Sequence, residues 1–140
     1  MKINLNGGSL VWLRRDLRLD DNSAINNSLK FKKQIAICFV FDKAILSPLI
    51  KSPWNVKDSH SYIKDRRVGF IHSTIEELQN SLINLGSNLF TFHDYALEVV
   101  PLFAKKINAK RVICSSDYEP ETIKRDKLIQ EKLNLYKIDF

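Results

Sequence analysis

Cysteine is scarce in this chain of 140 residues: there are two, Cys38 and Cys114. Each lies inside an apolar run, IAICFVF and RVICSS, where a small buried hydrophobe is the natural role. Neither a disulfide framework nor a cysteine metal cage can be built from them. Glycine is also sparse, with four residues, and no G-x-G-x-x-G or G-x-x-x-x-G-K-[ST] pattern occurs. Gly7-Gly8 precede the first strand rather than follow it, which argues against a dinucleotide or P-loop phosphate cradle. The three histidines, His60, His72 and His93, fall in a loop, a helix and a strand exit, at no spacing that names a triad or a metal site. Long apolar runs are missing as well. No stretch approaches the roughly 18 residues needed to span a bilayer, and MKINLNGGSLVW has no sustained signal-peptide core. These absences point to a soluble, cytoplasmic protein with no membrane contact.

What is present suits one compact core. Hydrophobic residues make up 44% of the chain, enough for one domain and too few residues for two comfortable ones. The net charge is +6, but the 22 basic residues are interspersed with 16 acidic ones. No block stands out, which reads as a solvated surface that permits an anionic cofactor or nucleic acid.

In order, strand and helix signals alternate. Leu10–Leu13 is a short buried strand that runs without pause into Arg14-Arg15-Asp16 and on to Arg18, Asp20 and Asp21. Asp21-Asn22-Ser23 offers N-caps for a short helix to about Leu29, with Ala24, Ile25 and Leu29 inward. Gln34–Phe41 is almost wholly apolar, the mark of a strand buried on both faces of a parallel sheet. Residues 43–65 read as a long loop around Pro48, Pro53 and Trp54, with one helical turn at Ala44–Leu49. Helical spacing returns with Val68, Phe70, Ile71, Ile75, Leu78, Leu82 and Leu85, closed by Gly86. Asn88–Phe92 is a third strand, with His93-Asp94-Tyr95 as its loop. A helix runs from about Ala96 to Ile107, and Pro101 is best placed in its first turn if it begins near Val99. Arg111–Cys114 is a fourth strand and Pro120 starts a helix to about Leu133. Tyr136–Phe140 opens a fifth strand at which the chain stops. The class is α/β: a doubly wound, mainly parallel, Rossmann-like sheet with helices on both faces and a truncated last strand. Its ligand crevice belongs outside the carboxyl ends of the strands. That rule selects 14–21, Asp42, His93-Asp94 and 115–119.

The residues LVWLRRDLRLDDNSA, CFVFDKAIL, DRRVGFIHSTIEEL and SSDYEPETIKRD, in this order, resemble the N-terminal α/β domain of the DNA photolyase and cryptochrome family. The likeness is greatest to bacterial cyclobutane-pyrimidine-dimer (deoxyribodipyrimidine) photolyases. The resemblance implies an antenna domain that holds a light-harvesting chromophore and packs on a helical domain carrying FAD and the damaged DNA. Nothing in residues 1–140 matches that helical domain, so the chain alone is expected not to repair DNA and to meet DNA only indirectly. By resemblance to deazaflavin-binding members, the cofactor residues are Arg15, Phe39, Asp42, Asp117 and Glu119, with no catalytic or metal residue. Glu121 and Thr122 depart from the Asn-Glu of folate-binding members, which favours a deazaflavin over a folate. Each position has a structural competitor. Arg14, Arg15 and Arg18 can pair with Asp16, Asp20, Glu119 or Asp126 simply to lock strand tips. Asp42 can cap a helix, Phe39 can be core, and Arg125 and Asp126 can lie on an exposed or interdomain face. Trp12 reads as core and Trp54 as a loop anchor. The alternatives to an antenna domain are a stand-alone small-ligand or nucleotide-binding module, or an inactive remnant of a photolyase.

Overall fold

The computed structural model describes residues 3–50 and 66–140. Its elements are β1 (Ser9–Leu13), α1 (Ser23–Leu29), β2 (Ile35–Asp42), α2 (Lys43–Ile50), α3 (Arg66–Asn84), β3 (Leu89–Asp94), α4 (Ala96–Lys106), β4 (Arg111–Ile113) and α5 (Pro120–Leu135). The sheet order is β3-β2-β1-β4, and every pairing is parallel, with Val11 opposite Ile37 on one side and Ile113 on the other.

Alternation along the strands decides the layers. Leu10, Trp12, Ala36, Cys38 and Val40 point to one face, where Val100 and Ala104 of α4 and Ile129 and Leu133 of α5 cover them. Val11, Leu13, Ile37 and Phe39 point to the other, beneath Ala24 of α1 and Ile75, Leu78 and Leu82 of α3. With both faces covered, β1 is buried along its whole length. That is the doubly wound architecture the alternating signals imply. The chain winds outward from β1 through β2 to β3, then crosses back by α4 to the far side of β1. The β1/β4 junction is therefore the switch point where strand exits diverge.

Several local expectations shift. The segment after β2 begins with a two-turn helix, α2, rather than a single turn; the remainder of the expected loop, 51–65 with Pro53, Trp54 and His60, lies outside the described residues. His93 and Asp94 belong to β3, because the pairing of β3 with β2 continues to Asp42 opposite Asp94. Helix α4 begins at Ala96, so Pro101 sits inside it. The lost hydrogen bond to Leu97 is one bond only, and burial of Ala96, Val100, Pro101 and Ala104 holds the helix. Leu29, Phe70 and Leu85 are exposed rather than inward, since they lie past the ends of the stripes that α1 and α3 press on the sheet. The fifth strand is reduced to one parallel bridge, Arg111 to Asp139.

Two small residues set the geometry around β1. Gly8 could carry no side chain, because a Cβ there would meet the Gln34 carbonyl oxygen at 2.1 Å. Asn22 is fully buried. Its Oδ1 accepts the Ile25 amide at 3.0 Å as the cap of α1, while Nδ2 donates to the carbonyls of Asp16 and Arg18 at 2.9 and 3.0 Å. One side chain thus starts the helix and fixes the charged loop leaving β1. Asn22→Ala is expected to cost about 1–2 kcal/mol from the cap alone, with a further loss because two partly buried carbonyls lose their donor. Denaturant unfolding beside exposed Asn26→Ala checks this: a loss no larger than that control contradicts the double role.

Candidate crevice at the strand exits

The second turn of α5 and the exits of β1, β2 and β4 meet in one polar network. Arg14 leaves β1 with its side chain nearly buried. Its Nη1 donates to both Asp126 oxygens at 2.9 and 2.7 Å, and its Nη2 donates to the Ser115 carbonyl and to Cys114 Sγ at 3.3 Å. Arg125 Nη1 donates to Asp42 Oδ2 at 3.0 Å, and its Nη2 lies 3.6 Å from Asp126 Oδ1. Both guanidinium groups stand 5.0 Å from the centre of the buried Trp12 ring. Such cation–π contacts gain strength as water is excluded. The Ser115 hydroxyl donates to Asp16 Oδ2, so the β4 exit is tied to the loop that Asn22 holds.

Arg15 has a different setting. Its side chain is 64% exposed; Nη2 donates to Glu119 Oε1 at 2.6 Å and Nε lies 3.5 Å from Asp117 Oδ2. Asp117 is placed by its own loop, accepting the Tyr118 amide at 2.7 Å and the Glu119 amide at 3.3 Å. Burial works against the Asp117 carboxylate, but these two amides and then Arg15 outweigh it and hold its pKa below the ordinary value. The bond to Glu119 in turn raises the pKa of Arg15. Across the sheet, the amide of Tyr95 and then Lys43 lower the pKa of Asp94.

Of the residues singled out in the sequence, the fold brings Arg15, Asp117 and Glu119 together at the rim, Arg15 and Glu119 exposed and the Asp117 side chain largely covered. Asp42 is buried below them, its Oδ1 accepting the Ala44 amide at 3.0 Å to start α2 and its Oδ2 committed to Arg125. Phe39 packs into the α1/α3 side, its ring edge-on to Phe41 at 5.0 Å. Arg14 pairs with Asp126, whereas Arg18 turns to the Asp21 carbonyl. Arg125 and Asp126 do not lie on an open face of α5: their side chains are only 16% and 20% exposed. The signal was in the spacing, since Thr122, Asp126, Ile129 and Leu133 recur at four, three and four residues, the stripe that α5 turns to the sheet. Arg125 Nε is the one buried side-chain polar atom without a partner among the described residues.

Burial pushes the Cys114 thiol up to about 11 despite Arg14, and Cys38 is driven up more strongly by full burial. Both stay protonated. Among the described residues no cluster of three or more His, Cys, Asp or Glu could hold a metal ion, and no helix is long and apolar enough to cross a membrane. An open groove of about 480 Å³ lies elsewhere, between α3 and edge strand β3, lined by Phe41, His72, Ile75, Gln79, Leu89 and Thr91 among others.

A doubly wound parallel sheet with helices on both faces defines an α/β, Rossmann-like domain. The particular family follows from comparison: the DNA photolyase family model matches residues 9–140, and the chain belongs to that family. It is 32% identical over 130 residues to the deoxyribodipyrimidine photo-lyase of Vibrio cholerae, covering 89% of this chain and 25% of that protein. To cryptochrome-2 of Gallus gallus it is 31% identical over 121 residues, covering 86% and 19%. The chain thus spans about a fifth to a quarter of these curated relatives. Among solved structures, a cryptochrome of Synechocystis superposes with a TM-score of 0.81 at 23% identity, over 97% of this chain and 27% of that one. A photolyase from Sulfolobus tokodaii, solved with two FAD molecules, superposes at 0.76 with 28% identity, over 94% and 28%.

Two outcomes test the network. Asp126→Ala leaves the nearly buried Arg14 without its carboxylate and is expected to cost about 3 kcal/mol; a double-mutant cycle with Arg14→Ala should recover much of that loss, and simple additivity contradicts the pairing. A carboxylate with a depressed folded pKa stabilises above its unfolded value of about 3.9 and loses that contribution as pH falls through the folded pKa. Urea unfolding across pH should therefore show the stability gap between the native chain and Asp117→Asn closing below about pH 4. A gap unchanged from about pH 5 to pH 3 contradicts the assignment.

Proposed function

We propose that this chain serves as the N-terminal antenna domain of a photolyase-type protein. In this role it holds a planar, partly anionic light-harvesting chromophore at the β1/β4 exits and packs on an FAD-bearing helical partner domain. The observation that carries the reading is the pairing of a buried polar floor with an exposed charged rim at the switch point. The residues fit such a group. Arg15 is an exposed cation held in place by two carboxylates, suited to an anionic ring edge or tail. Asp117 and Glu119 have acceptor capacity for ring N–H or side-chain hydroxyl donors. On this reading Asp42 and Phe39 shape the site from below.

The chromophore, when bound, supplies absorption of light; the chain's residues bind it, orient it and exclude water. A deazaflavin suits the rim better than a folate, given Glu121 and Thr122 in place of the folate pattern. The Sulfolobus tokodaii photolyase, reported with two FAD molecules and an implied novel light-harvesting cofactor, makes a flavin the second pigment to try. Repair of DNA by light belongs, on this proposal, to the assembly with the flavin domain and not to this domain alone.

Titration of the purified chain with a deazaflavin, a folate and FAD should give a shifted near-ultraviolet or blue absorption band and quenched fluorescence, strongest for the deazaflavin. Arg15→Ala is expected to weaken that binding about tenfold, consistent with loss of one charge-assisted contact, while Lys105→Ala at the opposite end leaves it unchanged. Equal affinities for the two variants, or no spectral change with any pigment, contradict the placement.

A further inference from the structure

Among the described residues, a group of cations is gathered at one end of the fold. All four strands are parallel, so every helix-to-strand connection returns to the same end, opposite the crevice. The exit of α1 brings Lys30, Lys32 and Lys33 there, and the last turn of α4 brings Lys105 and Lys106. Lys110 and Arg111 open β4, and Lys137 follows α5. The nearby carboxylates are Asp139, bridged to Arg111, and Glu131 in the last turns of α5. Among the described residues, eight cations stand here against two carboxylates.

These cations are contiguous and unpaired. The Lys110 amide donates to the Gly8 carbonyl at 2.9 Å, and the Ser9 amide to the Gln34 carbonyl at 2.9 Å, so the turns before β1, β2 and β4 form one surface. Among the described residues none of the eight forms an ion pair, whereas Arg14, Arg15, Lys43, Lys124 and Arg125 at the other end all do. Two of the eight are clamped on aromatic rings. The Arg111 guanidinium lies 3.7 Å from the centre of the half-exposed Phe31 ring, and Lys105 Nζ lies 4.4 Å above Tyr136. Lys32 and Lys137 occupy left-handed backbone, φ 50° and 57°.

We propose that this end of the sheet is a contact surface for the phosphate backbone of nucleic acid, separate from the crevice. Unneutralised cations fixed on helix ends and strand starts, with aromatic–cation stacks among them, match a regularly spaced polyanion and read no base sequence. An anionic membrane is the lesser fit. The two aromatic rings are occupied in holding cations, and the exposed Leu29, Leu85 and Leu135 sit at the ends of three different helices rather than along one amphipathic face.

The test is fluorescence anisotropy of the full chain with a labelled duplex of about 20 base pairs, at about 50 and about 200 mM salt. With about four phosphates neutralised, affinity should fall about a hundredfold between those salts. Lys33→Glu with Lys110→Glu should weaken binding at least tenfold and reduce the salt slope by about two. Lys124→Glu with Lys127→Glu makes the same change in net charge on the outer side of α5 and should change affinity less than twofold. Equal losses in both pairs would overturn the proposal, because net charge alone would then explain the binding. So would salt-independent or absent binding, or binding to phosphatidylserine-containing vesicles with none to DNA. Pigment titration of the same variants reports on the crevice separately and should not change.

Discussion

The crevice end depends on two guanidinium groups resting on one indole ring. Trp12 is the last but one residue of a strand buried on both faces, and Arg14 and Arg125 approach it from β1 and from α5. Neither cation could remain there unpaired, since an uncompensated charge in a nearly dry site is strongly destabilising. Asp126 and Asp42 supply the counter-charges. The consequence is mechanical: β1, β2, β4 and the start of α5 are joined through a single set of charge-assisted hydrogen bonds, and the loops between them have little freedom. The rim of Arg15, Asp117 and Glu119, with Arg15 and Glu119 exposed, stands on that floor.

Charge is therefore used in two ways in this fold. At the carboxyl ends of the strands, opposite charges meet and fix geometry. At the amino ends, cations are left open to water, where their summed field rather than any pair is the physical quantity that matters. A parallel sheet makes this division possible because it sends all helix starts to one end and all helix ends to the other. Cations also sit favourably at helix carboxyl termini, so the basic end costs the fold little.

Membership of the DNA photolyase family places this domain beside proteins four to five times its matched length in which the same α/β unit is only a part. The α/β unit has a complete core of its own, with apolar layers on both sheet faces.

The sequence by itself determined the alternation of strands and helices, the burial of β1 and β2, a capping stretch at Asp21-Asn22-Ser23 and the assignment of candidate residues to strand exits. These are local properties: an unbroken apolar run, a period near 3.6, or a capping side chain is legible within a few residues. The family motifs likewise pointed to Arg15, Asp117 and Glu119, which the fold then brought into contact across more than a hundred residues. Only the tertiary structure decided that Arg125 and Asp126 turn inward, that Asp42 is committed to Arg125, and that Phe39 faces the α1/α3 layer away from Trp12. It alone decided that lysines scattered from 30 to 137 share one surface. The physical reason is that sheet order and parallel direction, set by how whole layers bury their faces, fix which distant residues meet. No local pattern of charge carries that information.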